Sequence, residues 1–123
     1  NTHVLSINGN GGFMFNAQEL ATAARHNINF VAVIFNDGAY SNVQRIQKLC
    51  HGNRMIASDL TNPDFCKLAE SFGVAALKAT SPEQLQDRIE EAFKMDAPVL
   101  IEAPVGEMPD PWSSVLNLPR VRG

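Results

Sequence analysis

The sequence predicts an α/β domain with a doubly wound, mainly parallel sheet and helices on both of its faces. Short apolar runs alternate along the chain with segments of helical spacing, in the order β-α-β-α-α-β-α-β. This alternation is typical of parallel sheets joined by crossover helices. The run at residues 30–35 (FVAVIF) lacks the polar-apolar alternation of a half-exposed strand, which indicates a strand covered on both faces.

The first half of the chain contains two predicted strands and two predicted helices. Residues 3–7 (HVLSI) form a strand that ends in a glycine-rich turn. A capping box beginning at Asn16 then starts a helix that runs to about residue 26. The buried strand at residues 30–35 follows, and apolar side chains recurring at helical spacing predict a helix over residues 41–50.

The next helix has clear start and stop signals. Thr61 or Asn62 can cap it, Pro63 suits its first helical position, and Gly73 ends it.

The remaining segments complete the sheet. Residues 74–79 read as a strand, residues 81–94 as a helix capped by a serine, and residues 98–105 as a buried strand. We expect one domain over residues 1–106 and a proline-containing tail over residues 107–123 that wraps the surface or reaches a partner. Because the first residues already lead into a strand, we expect the chain to be a fragment of a longer polypeptide.

Composition excludes several classes of protein. A length of 123 residues suits one domain, and a net charge of -3 with 19% charged residues provides no cationic face for nucleic acid or anionic lipid. Two cysteines, with no signal peptide and no long apolar span, favour a reducing cytoplasmic setting. We therefore expect neither a nucleic-acid partner nor a membrane.

The glycine-rich segment at residues 7–13 (INGNGGF) has the composition of an anion-binding turn between a strand and a helix. Glycine lets backbone N–H groups approach a phosphate closely, and the positive end of a following helix favours the negative charge. Asn10 adds a side-chain oxygen. We expect this turn to hold a phosphate group.

Two other interpretations of the same segment remain open. Asn-Gly is a strong hairpin signal, with residues 13–15 as the returning strand. Gly9 and Gly11 also begin the dinucleotide fingerprint G-x-G-x-x-G, although it would need glycine in place of Met14. Asp37 stands where that motif places its ribose-binding acid, so NAD binding would support this second alternative.

A second loop follows the buried strand. Asn36, Asp37 and the backbone carbonyls up to Tyr40 are oxygen donors, and a neighbouring strand would bring them close to the glycine turn. Oxygen ligands of this kind suit Mg²⁺, which often bridges a protein to phosphate groups. Asn-Asp-Gly alone is more often an ordinary turn, so the magnesium site is predicted from the two loops together.

These loops identify a family resemblance. Almost the whole chain is similar to the C-terminal, diphosphate-binding domain of thiamin-diphosphate enzymes of the acetolactate synthase and benzoylformate decarboxylase type. Members carry Gly-Asp-Gly after the first strand and, one helix and one strand later, an Asn-rich turn followed by an aromatic residue. Here these stand as residues 9–11 (GNG) and 36–40 (NDGAY). Residues 62–65 (NPDF), 67–73 (KLAESFG) and 98–106 (PVLIEAPVG) also resemble the acetolactate synthase branch.

The resemblance implies thiamin diphosphate and Mg²⁺ as cofactors. The cofactor-binding residues that it implies are Gly9, Asn10, Gly11, Gly12, Phe13, Asp37, Ala39 and Tyr40. Of these, Asn10, Asp37 and the carbonyl of Ala39 would bind the metal.

The resemblance also implies the reaction. The parent enzyme would decarboxylate a 2-oxo acid or transfer the resulting aldehyde unit, with Asn42, Val43 and Ile46 facing the substrate. Val43 stands where simple pyruvate decarboxylases have a glutamate, so we do not expect their proton relay here.

One departure affects the predicted metal site. Asn10 stands where the family has Asp, which removes a negative charge and lowers the expected affinity for Mg²⁺. Position 37 is Asp where many relatives have Asn, and we hypothesise that this exchange of places partly preserves the site. Alternatively, Asn10 precedes a glycine and can deamidate to Asp, which mass spectrometry of this peptide would detect.

No catalytic residue is expected within the chain. In the family, the activating glutamate comes from a pyrimidine-binding domain, in the same polypeptide or in a partner subunit, and that domain is not among the 123 residues. We expect the isolated chain to be inactive and the full enzyme to be a homodimer or homotetramer. The alternative of a different class is a noncatalytic binding or interaction domain, left by loss of metal affinity at Asn10.

Other chemistries have little support. The three histidines and two cysteines lack zinc-site spacing, and no G-x-S-x-G nucleophile motif is present. Arg45, Lys48 and Arg54 could meet a substrate carboxylate, but a solvated helix face suits them better.

Overall fold

The computed structural model describes residues 2–107, 109 and 110. The strands are β1 (Leu5–Gly9), β2 (Val31–Asn36), β3 (Ala75–Lys78) and β4 (Val99–Pro104). The helices are α1 (Asn10–Phe13), α2 (Glu19–His26), α3 (Ser41–Cys50), α4 (Phe65–Ser71) and α5 (Pro82–Lys94). Most of the expected tail, residue 108 and residues 111–123, lies outside the described residues. None of the helices in the described ranges is long and apolar enough to cross a membrane.

The four strands form one parallel sheet in the order β1-β2-β4-β3. The chain moves from β1 to β2 and on to β3 in one direction, then returns to place β4 between β2 and β3. Because parallel crossovers are right-handed, this reversal puts the last crossover helix on the opposite face of the sheet. The predicted doubly wound α/β fold, with helices on both faces, is confirmed.

Two apolar clusters, one on each face, form the core. On one face, α2 and α4 cover the sheet through Leu20, Ile34, Phe65, Ala69, Val74 and Leu100. On the other face, α5 covers it through Val31, Val33, Ala79, Ala92, Val99 and Ile101. Successive strand residues point to opposite faces, so the continuous apolar run of β2 supplies both clusters.

The glycine turn contains a short helix that the sequence analysis did not predict. β1 continues to Gly9, and residues 10–13 form the single turn α1. Phe13 packs edge to face on Phe65, with ring centroids 5.9 Å apart, so burial of its ring favours the helical turn. The hairpin interpretation, with residues 13–15 as a strand, is therefore wrong.

Two predicted helix starts are shifted. α2 begins at Glu19 with Gln18 as its N-cap, and no side chain of a capping box at Asn16 bonds to its first turn. The Glu19 carboxylate instead accepts a hydrogen bond from Thr22 Oγ1 at 2.9 Å. α4 begins after Asp64, whose side chain accepts from the Lys67 N–H at 3.0 Å. Asn62, one of the expected caps, is bonded elsewhere.

Phe65→Ala is expected to lower the free energy of unfolding by about 3–5 kcal/mol, because it leaves a cavity in the core. Phe65 is 0% exposed, whereas Phe15 is 73% exposed and makes a matched control. Phe15→Ala should change stability by less than about 0.5 kcal/mol. Urea denaturation followed by circular dichroism measures both. Equal losses in the two variants would contradict the described core.

Candidate functional site

A cavity of about 600 Å³ lies at the carboxyl ends of β1 and β2. These strands are neighbours, with Gly9 opposite Phe35, so the two loops that follow them start side by side. The cavity is lined by Gly9, Asn10, Gly11, Gly12, Asp37, Ala39, Tyr40, Ser41, Asn42, Val43, Arg45 and Pro109. The structure therefore brings together every residue expected to bind the cofactor except Phe13.

Phe13 does not line this cavity. Its partly buried ring packs against the core cluster under α2 and α4 and borders a separate groove of about 340 Å³ beside α2.

The glycines of the first loop have different roles. A Cβ on Gly11 would overlap the Tyr40 ring, with Cδ1 at 2.9 Å, so any larger residue at this position would have to displace the ring. At Gly9 and Gly12 a Cβ would meet no atom within 4 Å. The backbone at those two positions is therefore open to approach, while Gly11 allows the second loop to pack on the first.

The second loop is held by its own hydrogen bonds. One carboxylate oxygen of Asp37 accepts from the Ala39 N–H at 3.2 Å, and the other accepts from Ser41 Oγ. The Tyr40 N–H donates to the Ser58 carbonyl at 2.8 Å. Gly38 has φ +74°, a conformation that favours glycine. These contacts fix the oxygen atoms of Asp37 and Ala39 at the rim of the cavity.

Asn10 is buried between the two loops, with 4% of its surface exposed. Its Nδ2 donates to Asn36 Oδ1 at 3.4 Å. The amide of Asn10 is thus engaged through its nitrogen.

Sequence reasoning missed the polar residues behind Asn10. Asn36 Oδ1 also accepts from Asn62 Nδ2 at 2.9 Å, and Asn36 Nδ2 donates to Glu102 Oε1 at 2.9 Å. Glu102 Oε2 lies 3.4 Å from Lys78 Nζ. A signal was available, because Glu102 is a charged residue inside the apolar run of the last strand.

The residues expected to face a substrate lie on α3, which has no buried side chain. Asn42 and Val43 line the 600 Å³ cavity at the ends of β1 and β2, which we call the main cavity. Ile46 does not; with Val43 it borders a neighbouring groove of about 440 Å³ that also includes Ile56. The structure therefore places two of these three residues at the main cavity.

The cations of α3 face acidic groups that follow β4. Arg45 lies 3.9 Å from the Asp110 carboxylate and donates to the Pro109 carbonyl at 3.4 Å. Lys48 lies 3.9 Å from Glu107. Arg54 donates to a backbone carbonyl at the end of α3. Of the three cations, only Arg45 lines the main cavity.

A set of possible metal ligands lies at the opposite end of the Asn36 network. The ligand atoms of Asp64, Cys66 and Glu102 are within 4.8 Å of one another. Burial, and then the negative charges of Glu102 and Asp64, raise the pKa of the Cys66 thiol. The thiol is therefore protonated near neutral pH in the metal-free protein.

Comparison with known proteins agrees with the family resemblance. Residues 1–103 match the model of the thiamine pyrophosphate enzyme family, C-terminal TPP binding domain. An acetolactate synthase of Bacillus subtilis (strain 168) is 42% identical over 102 residues, 83% of this chain and 18% of that protein. A probable acetolactate synthase large subunit of Methanococcus aeolicus is 38% identical over 117 residues, 94% of this chain and 19% of that protein. The chain spans about a fifth of the length of these relatives.

A solved structure also matches the fold. It is a thiamine diphosphate-dependent 4-hydroxybenzoylformate decarboxylase of Rhodococcus jostii RHA1, with a TM-score of 0.81 and 27% sequence identity. The match covers 88% of this chain and 20% of that chain.

Gly11→Ala is expected to lower the free energy of unfolding by about 1–3 kcal/mol, because its methyl group must displace the Tyr40 ring. Gly12→Ala is the control, since its Cβ meets open space in the same helical turn. Thermal denaturation and the near-ultraviolet signal of tyrosine measure both variants. If Gly11→Ala and Gly12→Ala have equal stability and equal tyrosine signals, the described contact with Tyr40 is incorrect.

Proposed function

Since the chain belongs to the family of C-terminal TPP binding domains of thiamine pyrophosphate enzymes, we propose that its main cavity binds the diphosphate of the cofactor together with Mg²⁺. One observation carries this proposal. Parallel pairing of β1 with β2 brings the glycine turn and the Asn36–Tyr40 loop to one cavity. The dinucleotide-binding alternative has no such support from a family match.

The first loop suits a diphosphate. The N–H groups in the first turn of a helix have no partner within that helix, so those of Gly11 and Gly12 in α1 are suitable donors. No side chain crowds Gly9 or Gly12, so phosphate oxygens can approach the backbone.

The second loop and Asn10 suit a hard cation. Asn10 Oδ1, a carboxylate oxygen of Asp37 and the Ala39 carbonyl are oxygen donors, which Mg²⁺ prefers, and all three residues line the cavity. In this proposal the protein contributes one negative charge to the metal, through Asp37, and the diphosphate contributes the remainder. The exchange of carboxylate and amide between positions 10 and 37 partly preserves the metal site.

The remaining residues position the cofactor and substrate. Tyr40 packs over Gly11 beside the cofactor, and Asn42 and Val43 face the substrate at the main cavity. Ile46 extends this surface along the neighbouring groove, which it shares with Val43. When bound, thiamin diphosphate supplies the chemistry by stabilising a carbanion. This domain holds the diphosphate end of the cofactor, and Val43 provides an apolar surface without a group that transfers protons.

We extend the proposal to the whole protein. It acts on a 2-oxo acid by decarboxylation or carboligation, as a cytoplasmic lyase or transferase. Residues 1–106 form the cofactor-binding domain and residues 107–123 a tail. A pyrimidine-binding domain, in the same polypeptide or a partner subunit, supplies the activating glutamate, and the enzyme is a homodimer or homotetramer. The names of the acetolactate synthase relatives support this assignment.

A noncatalytic binding domain is the second candidate, and a specific observation favours it. The family's carboxylate is missing at position 10, and the Asn10 nitrogen is engaged by Asn36. Calorimetry of the protein with thiamin diphosphate and Mg²⁺ discriminates the two functions. Binding that depends on Mg²⁺ supports the cofactor site, whereas no heat at millimolar cofactor favours the noncatalytic domain.

Asp37→Asn is expected to weaken Mg²⁺-dependent binding of thiamin diphosphate by about tenfold or more, because it removes the carboxylate from the proposed metal site. The amide oxygen can still accept from the Ala39 N–H, so the loop should keep its shape. Asp59→Asn is the control, since Asp59 pairs with the same loop at Ala39 but does not line the cavity. Calorimetry measures all three proteins, and unchanged binding in Asp37→Asn would contradict the proposed metal site.

The isolated 123-residue chain is expected to release no carbon dioxide from pyruvate, even when it binds the cofactor, because the activating glutamate is proposed to lie on another domain. A coupled assay for carbon dioxide with thiamin diphosphate and Mg²⁺ measures this. Release of carbon dioxide by the purified chain would contradict the proposal that the activating glutamate lies on another domain.

A further inference from the structure

The side-chain amide of Asn36 has a fixed orientation. Its Nδ2 faces the Glu102 carboxylate at 2.9 Å, and a carboxylate accepts hydrogen bonds but does not donate them. Its Oδ1 faces the Gly38 N–H at 3.3 Å, and a backbone N–H only donates. Rotating the amide by half a turn would place its Oδ1 against the Glu102 carboxylate, so that an acceptor faces an acceptor. It would also place its Nδ2 against the Gly38 N–H, so that a donor faces a donor. These two partners therefore determine which end of Asn36 points toward Asn10.

This orientation selects the residue type at position 10. Asn36 Oδ1 is an acceptor, so the atom of residue 10 that faces it must be a donor, as Asn10 Nδ2 is. The other atom of that amide, Oδ1, is then the one left to serve a ligand in the cavity. A carboxylate at position 10 would instead place an acceptor against an acceptor in a buried setting, which is destabilising.

We propose that Glu102 is a positioning residue for the cofactor site. By orienting the Asn36 amide, it favours asparagine at position 10 and directs the carbonyl oxygen of the Asn10 side chain to the cavity. The inference rests on the proposed function for the role of that oxygen.

Glu102 is itself held in place. It lies in β4 directly opposite Lys78 of β3, and the two form an ion pair between a buried carboxylate and a half-exposed ammonium group. The Cys66 thiol approaches the same carboxylate oxygen at 3.8 Å. A buried carboxylate is costly unless it is paired and hydrogen-bonded, and here each oxygen has a partner. Glu102 therefore has little freedom to release Asn36.

The test is a double-mutant cycle of Asn10→Asp with Glu102→Gln, measured first on the stability of the cofactor-free protein. A glutamine at position 102 can donate as well as accept, so it removes the acceptor that holds Asn36 Nδ2. Asn36 can then turn and donate to the new carboxylate, at the cost of the long Gly38 hydrogen bond of 3.3 Å and with a matching rotation of the Asn62 amide. We expect Asn10→Asp alone to destabilise the protein and the double variant to recover. The unfolding equilibrium constant should depart from additivity by about tenfold. Calorimetric titration with Mg²⁺ and thiamin diphosphate should show non-additivity in the same direction.

Asp64→Asn is the matched control. The Asp64 carboxylate lies within 4.8 Å of that of Glu102, but it caps α4 through Lys67. If Asp64→Asn restores the stability of Asn10→Asp equally well, loss of nearby negative charge explains the recovery and the proposal is overturned. Additive effects of Asn10→Asp and Glu102→Gln on stability would also overturn it. If Glu102→Gln does not fold, the stability of the single variant Asn10→Asp tests the proposal. An unchanged or raised melting temperature of that variant would overturn it. Absence of cofactor binding in the unmodified protein would overturn the proposed function, whereas the stability cycle would still decide the role of Glu102.

Discussion

Parallel pairing of β1 with β2 is the constraint on which the site depends. The pairing aligns the carboxyl ends of the two strands, so the glycine turn after Gly9 and the loop after Asn36 begin at the same edge of the sheet. The pairing runs along the whole of β1, from Leu5 opposite Val31 to Gly9 opposite Phe35. The cavity is thus a consequence of the strand order and register.

A polar network continues from this edge into the sheet. Asn36 is the last residue of β2, and it connects Asn10 of the first loop to Glu102 of the neighbouring strand β4. Glu102 has four per cent of its surface exposed, so its charge is balanced within the protein by the Lys78 ion pair. The polar network therefore links the first loop of the cavity to the two neighbouring strands β4 and β3.

Local signals in the sequence were sufficient to predict the main helices and strands. They were insufficient to predict the residues at which α2 and α4 begin. Ser81 caps α5 as expected, because its hydroxyl can reach the Gln84 N–H without help from the remainder of the chain. Asn16 and Asn62 are equally good caps by residue type, but neither acts as one. Asn62 instead bonds to Asn36, which is distant in sequence, and such a partner exists only after the sheet has formed. The short helix α1 likewise depends on a place for the Phe13 ring against Phe65.

The sequence by itself determined the alternation of strands and helices, the parallel sheet, the two loops and the family, because these depend on periodicity and on motifs read over short stretches. Only the tertiary structure decided that Gly11 lies beneath Tyr40, that the Phe13 ring packs against the core and that Ile46 faces a separate groove. It also decided that Glu102 stands behind Asn36. The physical reason is that these contacts join residues far apart in the chain, and strand order with register, which no local pattern encodes, sets the distances between them.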